Sequence, residues 1–168
     1  MNFIIEIVGG IVGQDTNGVY YNCDYQILSE TYKTPGIDAD NKVGGIAGAS
    51  VAGRFVFCSV MSYNWNYSLL KDNSKLDQII TDCADIKANN NVGGIVGETS
   101  ANVESCTNYG EVHGVTTHVA GIVGSTTAGN VTDCVNEGLV NGFSWGAGGI
   151  VGCVGANTQV ISNCINKG

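Results

Sequence analysis

The stretch that decides the fold is "VGGIVGETSANVESCTNYGEVHGVTTH" at residues 92–118, because "VAGIVGSTTAGNVTDCVNEGLVNGFSWG" at 119–146 follows it with nearly the same pattern. Lining up the glycine pairs finds five copies of one phrase: "VGGIVG" at 8–13, "VGGIAG" at 43–48, "VGGIVG" at 92–97, "VAGIVG" at 119–124 and "AGGIVG" at 147–152. Their second glycines, Gly10, Gly45, Gly94, Gly121 and Gly149, are spaced by 35, 49, 27 and 28 residues. The last two spacings set the period and the first two carry insertions. Self-similarity at such a period marks a solenoid or array.

A cysteine phrase follows each glycine phrase: "YYNC" (20–23), "FVFC" (55–58), "VESC" (103–106), "VTDC" (131–134) and "ISNC" (161–164). "ITDC" at 80–83 is a sixth copy, with no glycine phrase directly before it. The ladder expected from these copies is Cys23, Cys58, Cys83, Cys106, Cys134 and Cys164. In the last three repeats Asn108, Asn136 and Asn166 stand two residues after the cysteine, and Gly110, Gly138 and Gly168 two further on. Apolar residues three apart face opposite sides of a regular strand. The residue before each cysteine is mostly Asn, Asp or Ser, types that tolerate the left-handed conformation. A corner there turns both the large residue and the cysteine inward, and x-Asn-x-Gly then reads as a second bend.

One period is therefore two or three short strands joined by corners. A coil of this size cannot bury its own apolar face, so stacking at about 4.8 Å per rung makes the core. The expected fold is all-β, a single repeat solenoid over 1–168, as a right-handed parallel β-helix of about five or six coils. A β-sandwich or triangular β-prism is the alternative. Residues 92–168 show no 3.6-residue periodicity and are too rich in Gly, Asn and Thr for helices.

Composition agrees. The 168 residues include 25 glycines and one proline, with 43% hydrophobic and 13% charged residues. That is too apolar for a disordered linker. Net charge is −8, and no Lys or Arg lies between Lys87 and Lys167. Nucleic-acid binding needs a basic stripe, so that partner is excluded. No run approaches 18 apolar residues, which excludes a membrane-inserted helix. The start "MNFIIEIVGG" has no basic leader and carries Glu6 within its apolar run, unlike a signal peptide.

The combined pattern VGGIVG…VxxCxNxGxV resembles the GLUG-motif repeats of bacterial surface and secreted proteins, among them adhesin-like and IgA-peptidase-associated chains. The resemblance is close over 92–168, looser over 8–58, and absent from 59–91. It implies a non-catalytic module at the cell surface or outside the cell, with an adhesive or spacer role and a host or cell-surface glycan or protein as partner. It carries no catalytic residue with it. The chain stops at "CINKG" partway through a repeat, so we expect it to be a segment of a larger protein, or else to associate end to end.

The seven cysteines contain no CxxC pair, which argues against a zinc knuckle. Stacked in register they are expected to be buried free thiols, with Cys153 the one out of register. His113 and His118 read as solvated loop histidines, with Glu111 the nearest acid in sequence. No G-x-S-x-G, P-loop or paired-histidine motif is present, and no cofactor or metal site is expected. A carbohydrate-active β-helix is the enzymatic alternative, using Asp38, Asp40, Asp82 and Asp85 with Lys42 and Lys87 near them. An ice-binding face would need Thr at one place on every rung, whereas Thr116–Thr117 and Thr126–Thr127 occupy different phases.

The non-repeat insertion at about 59–91 concentrates aromatics. Tyr63, Trp65 and Tyr67 alternate in "SYNWNYSLL", which puts three rings on one face if extended. "SKLD" at 74–77 resembles a capping box, predicting a short helix to about Ile80. Trp145, with Phe143 in "GFSWG", is a second aromatic loop. These rings either cover the core or form a platform for sugars or peptides. Insertions in solenoids gather on one face.

Overall fold

The computed structural model describes residues 7–27, 37–39, 41–62, 86–143, 145–155 and 159–168. They form a parallel β-helix of five rungs: 8–27, 37–62, 86–108, 112–136 and 140–166. The predicted helix near 74–80 lies outside the described residues.

Each rung contributes to four parallel sheets. Sheet A stacks Val8–Gly9, Asn41–Gly44, Ile86–Gly93, Val112–Ala120 and Val140–Gly142. Ile37–Asp38 also pairs with Ile86–Gly93, and Trp145–Gly148 with Val112–Ala120. Sheet B stacks Val12–Asp15, Ala47–Ser50, Val96–Thr99, Val123–Thr126 and Val151–Val154. Sheet C stacks Gly18–Tyr21, Gly53–Val56, Asn102–Glu104, Val131–Thr132 and Ile161–Ser162. Sheet D stacks Asp24–Ile27, Ser59–Ser62, Thr107–Asn108, Val135–Asn136 and Ile165–Asn166. The glycine phrases lie on one another in register, Val43 on Val92, Val92 on Val119 and Val119 on Ala147.

The corner before each cysteine is a left-handed residue on every rung: Asn22 (φ 53°), Phe57 (53°), Ser105 (52°), Asp133 (55°) and Asn163 (54°). The turn flips the strand's alternation, so Phe55 and Cys58, Val103 and Cys106, and Val131 and Cys134 are all buried. At the first rung Tyr20 stacks on Phe55, with ring centroids 4.5 Å apart and planes 10° apart. The Tyr20 hydroxyl donates to the Asp15 carboxylate, and burial together with that bond raises its pKa. A second left-handed corner precedes the glycine phrase at Lys42 (49°), Asn91 (48°) and His118 (54°), with Gly146 (82°) in the same place on the last rung.

The two phrases recur together because they touch. A methyl on Gly121 would lie 2.1 Å from Asn136 Cγ, and one on Gly94 2.4 Å from Asn108 Cγ. The asparagines fill that space and bond along the stack. Asn108 Nδ2 donates to Gly110 O (2.7 Å) and to Asn136 Oδ1 (2.9 Å). Asn136 Nδ2 does the same to Gly138 O (2.7 Å) and Asn166 Oδ1 (2.8 Å). Tyr25 and Val60 hold this place on the first two rungs, so only the later rungs carry the amide ladder.

Among the described residues the cysteine stack has five members. Cys58, Cys106 and Cys134 are buried, with Cys23 and Cys164 half-buried at its two ends, and all are free thiols. The strands at 53–62 pair directly with those at 102–108, and Cys83, expected in the ladder, lies outside the described residues. Contact with Cys134 and Cys58, and burial, raise Cys106, while contact with Cys106 lowers Cys58 and Cys134.

Both long interruptions, 28–36 and 63–85, open at the same corner, between sheet D and sheet A. On later rungs 109–111 and 137–139 make that crossing.

Candidate functional site

Two residues before the first residue of each glycine phrase from the second onward, the chain places a side chain at the outer bend of sheet A. The four described ones, Asn41, Asn90, Thr117 and Trp145, stand in one column, register partner on register partner. Asn90 Nδ2 donates to Asn41 Oδ1 at 2.7 Å, and Thr117 Oγ1 to Asn90 Oδ1 at 3.0 Å. Thr116 adds a donor to Asn89 O at 2.8 Å and a second bond to Asn90 Oδ1. Trp145 ends the column, and 74% of its surface is exposed.

The adjoining column braces this one. Lys42 Nζ meets Glu98 Oε1 at 3.0 Å, and Asn91 Nδ2 donates to Glu98 Oε2 at 2.8 Å. His118 Nδ1 lies 2.7 Å from Asn91 Oδ1, and its ring meets the Trp145 ring edge-on at 6.2 Å and 77°. The Lys42–Glu98 pair is partly exposed, worth about 0.2–1 kcal/mol in such a setting. Its role here is to cancel charge, leaving amides, hydroxyls and an indole face. Such a surface suits hydrogen bonding and ring stacking, with no charge to select for ions.

His113 corrects the sequence expectation. It is not in a solvated loop but in sheet A, 1% exposed, between its register partners Lys87 and Asn141. Phe143 packs edge-on against its ring at 5.4 Å and 69°. Burial and the nearby Lys87 charge hold its pKa below the ordinary imidazole value. Glu111 is buried as well. His118, expected in the same loop, is a braced corner in Val112–Ala120.

Of the residues singled out from sequence, Trp145 belongs to the column. Tyr63, Trp65, Tyr67, Asp40, Asp82 and Asp85 lie outside the described residues. The Asp38 backbone pairs with Lys87 in sheet A, away from the column. Lys42 is neutralised by Glu98. Cys153 is out of register as expected, following Ser125 in the sheet B column that contains Glu98. Thr99 and Thr126 do share a column, but both are buried and bond corner carbonyls rather than forming a face. Among the described residues no group of three His, Cys, Asp or Glu side chains is placed to hold a metal ion.

Asn41 and Asn90 went unnoticed in the sequence, and Thr117 was weighed only as part of a threonine pair. Their signal was the place two residues ahead of each glycine phrase, where a polar or aromatic side chain recurs under changing identity.

Comparison with protein-family models, with curated proteins and with solved structures finds no match to this chain.

Proposed function

We propose that the chain is a non-catalytic recognition and spacer module displayed outside a bacterial cell, and that it holds a glycan along the Asn41–Asn90–Thr117–Trp145 column. The observation that carries this reading is the exposed Trp145 ring at the head of an in-register row of amides and hydroxyls. An indole face stacks on the apolar face of a sugar ring, and the row supplies both donors and acceptors for ring hydroxyls. The GLUG-like phrasing supports the extracellular setting.

A glycan-array screen with wild type, Trp145→Ala and Trp65→Ala tests it. The expected result is binding to a neutral glycan that Trp145→Ala reduces at least tenfold and Trp65→Ala leaves in place. Loss with Trp65→Ala alone moves the site to the 59–91 insertion. Release of product from a polysaccharide, abolished by Asp82→Asn or Asp85→Asn, overturns the non-catalytic reading. Because the column itself is uncharged and Lys42 in the adjoining column is paired with Glu98, binding is expected to be unchanged between low and high salt.

A further inference from the structure

Each rung brings one cysteine to the same place. Cys23, Cys58, Cys106, Cys134 and Cys164 follow the left-handed corner between sheets C and D, and the strands on both sides of that corner pair in register. The side chains repeat as the backbone does. Cys134 Sγ donates to Thr132 O at 3.2 Å and lies 3.6 Å from Val103 O on the rung before. Cys164 Sγ makes the same two contacts, 3.2 Å to Ser162 O and 3.6 Å to Val131 O. Cys58 meets Val56 O at 3.7 Å and Tyr20 O at 3.5 Å, while Cys106 donates to Glu104 O at 3.3 Å and Cys23 to Tyr21 O at 3.7 Å. The shared bond to the carbonyl two residues back gives every rung one side-chain direction. Sulfur therefore stands over sulfur, and each thiol has the next rung's thiol as its electrostatic neighbour.

That spacing is what two sulfurs need around a two-coordinate metal ion. Rungs lie about 4.8 Å apart and a metal–thiolate bond is about 2.3 Å long, so the midpoint between neighbouring sulfurs is within about 0.1 Å of a bond from each. The absence of a CxxC pair bears on a four-ligand zinc site and leaves this geometry open. Among the described residues no three such side chains surround one point, and sulfurs in a line offer two at a time. That favours soft monovalent ions, which prefer thiolate and accept two ligands. Charge selects the same class. The stack lies in an apolar core with Phe55, Val60, Val103 and Val131, where an uncompensated charge is costly. A monovalent ion that takes the place of one thiol proton leaves the charge of the stack unchanged, whereas a divalent ion in every gap would not.

We propose that the cysteine stack is a binding site for soft monovalent metal ions of the Cu(I) and Ag(I) class, one in each of the four gaps between its five sulfurs. In each gap one thiol proton leaves to solvent and the ion bonds the sulfur on either side, so the inner sulfurs bridge two ions. Four ions displace four protons, the fifth thiol keeps its own, and the stack stays neutral without any oxidant or reductant. Cys58, Cys106 and Cys134 are buried, so the ions enter as the rungs stack and not through a surface pocket. The site is independent of the glycan column on sheet A.

Silver(I) is the probe, because it keeps its oxidation state in air. Cys83→Ser and Cys153→Ser together remove the thiols outside the stack, with alanine at either place if serine prevents folding. The reduced double variant is refolded with silver nitrate in chloride-free buffer, desalted and weighed intact by native mass spectrometry, and circular dichroism checks its β spectrum. Four ions per chain are expected. Adding Cys106→Ala, or Cys106→Val if alanine does not fold, removes the middle sulfur and with it two gaps, so the count falls to two. Thiols that each held an ion of their own would give five and four instead. Silver is also expected to raise the melting temperature, and zinc(II) in its place to be lost on desalting. Any other pair of silver counts, an unchanged melting temperature, retention of zinc, or a chain that refolds alone but not with silver would overturn the proposal.

Discussion

Gly121 and Asn136 show how one contact writes two motifs. The asparagine side chain occupies the space a methyl on the glycine would need, 2.1 Å from its Cγ. Gly121→Ala is therefore expected to destabilise the fold by about 1–3 kcal/mol through overpacking. Asn136→Ala should cost a similar amount, about 1–3 kcal/mol, by leaving the buried Gly138 carbonyl and Asn108 amide without it. The double variant should be less destabilised than the sum, because the smaller side chain makes room for the methyl. Denaturant melts of the four proteins give the coupling; strict additivity would mean the contact does not link the phrases. His113 offers a second test at this scale. Its folded pKa lies below the unfolded value of about 6.5, so its contribution is present above that pH and lost as pH falls through it. Wild type should lose more stability between pH 7 and pH 5 than His113→Phe does. Equal losses would show that the buried imidazole is not what titrates.

Among the elements, the corner before each cysteine separates what sequence could reveal from what it could not. Asn22, Ser105, Asp133 and Asn163 are types that accept positive φ, and their spacing from the large residue and the cysteine implied an inward-turning corner. Phe57 occupies the same place at φ 53°, where its type gave no hint and only the repeat did. Its ring meets Tyr21 edge-on at 5.8 Å, a contact of about 0.5–1.5 kcal/mol that offsets the conformational cost. Asp133→Val should then cost about 1–2 kcal/mol, since a β-branched side chain resists the left-handed region, and Asp133→Gly much less. Matching melts for the two variants would show that the corner does not constrain the strand. The column at Asn41, Asn90, Thr117 and Trp145 was illegible for the opposite reason. Its positions recur but its residue types do not, and only parallel register makes one surface of them. His113 misled because sequence alternation marks the core face of a strand and is silent on whether the outer face is covered.

For the whole molecule, the described residues form a stack that repeats, and the two long segments outside them both fall between sheet D and sheet A. Tyr109, Gly110 and Glu111 suffice for the crossing from sheet D to sheet A on the third rung, with Asn108 accepting from the Gly110 N–H and donating to its carbonyl. On the second rung sheet D ends at Ser62 and sheet A resumes at Ile86, with Val60 in the asparagine's place. Since Ile86 already stacks in register on Val112, the rung does not need the longer path. Replacing residues 60–85 with the Asn-Tyr-Gly-Glu of 108–111 should leave the β-helix intact. Shortening the closed loop reduces its closure entropy, favouring the fold by about 2 kcal/mol. Thermal melting followed by circular dichroism is expected to show an unchanged β spectrum and a transition at least as high as wild type. Loss of the cooperative transition would mean that the inserted segment is part of the core. The shortened chain also lacks Tyr63, Trp65, Tyr67 and Cys83, so its ligand binding separates the two aromatic candidates. Glycan binding that survives the replacement belongs to the Trp145 column, because nothing in that column is removed.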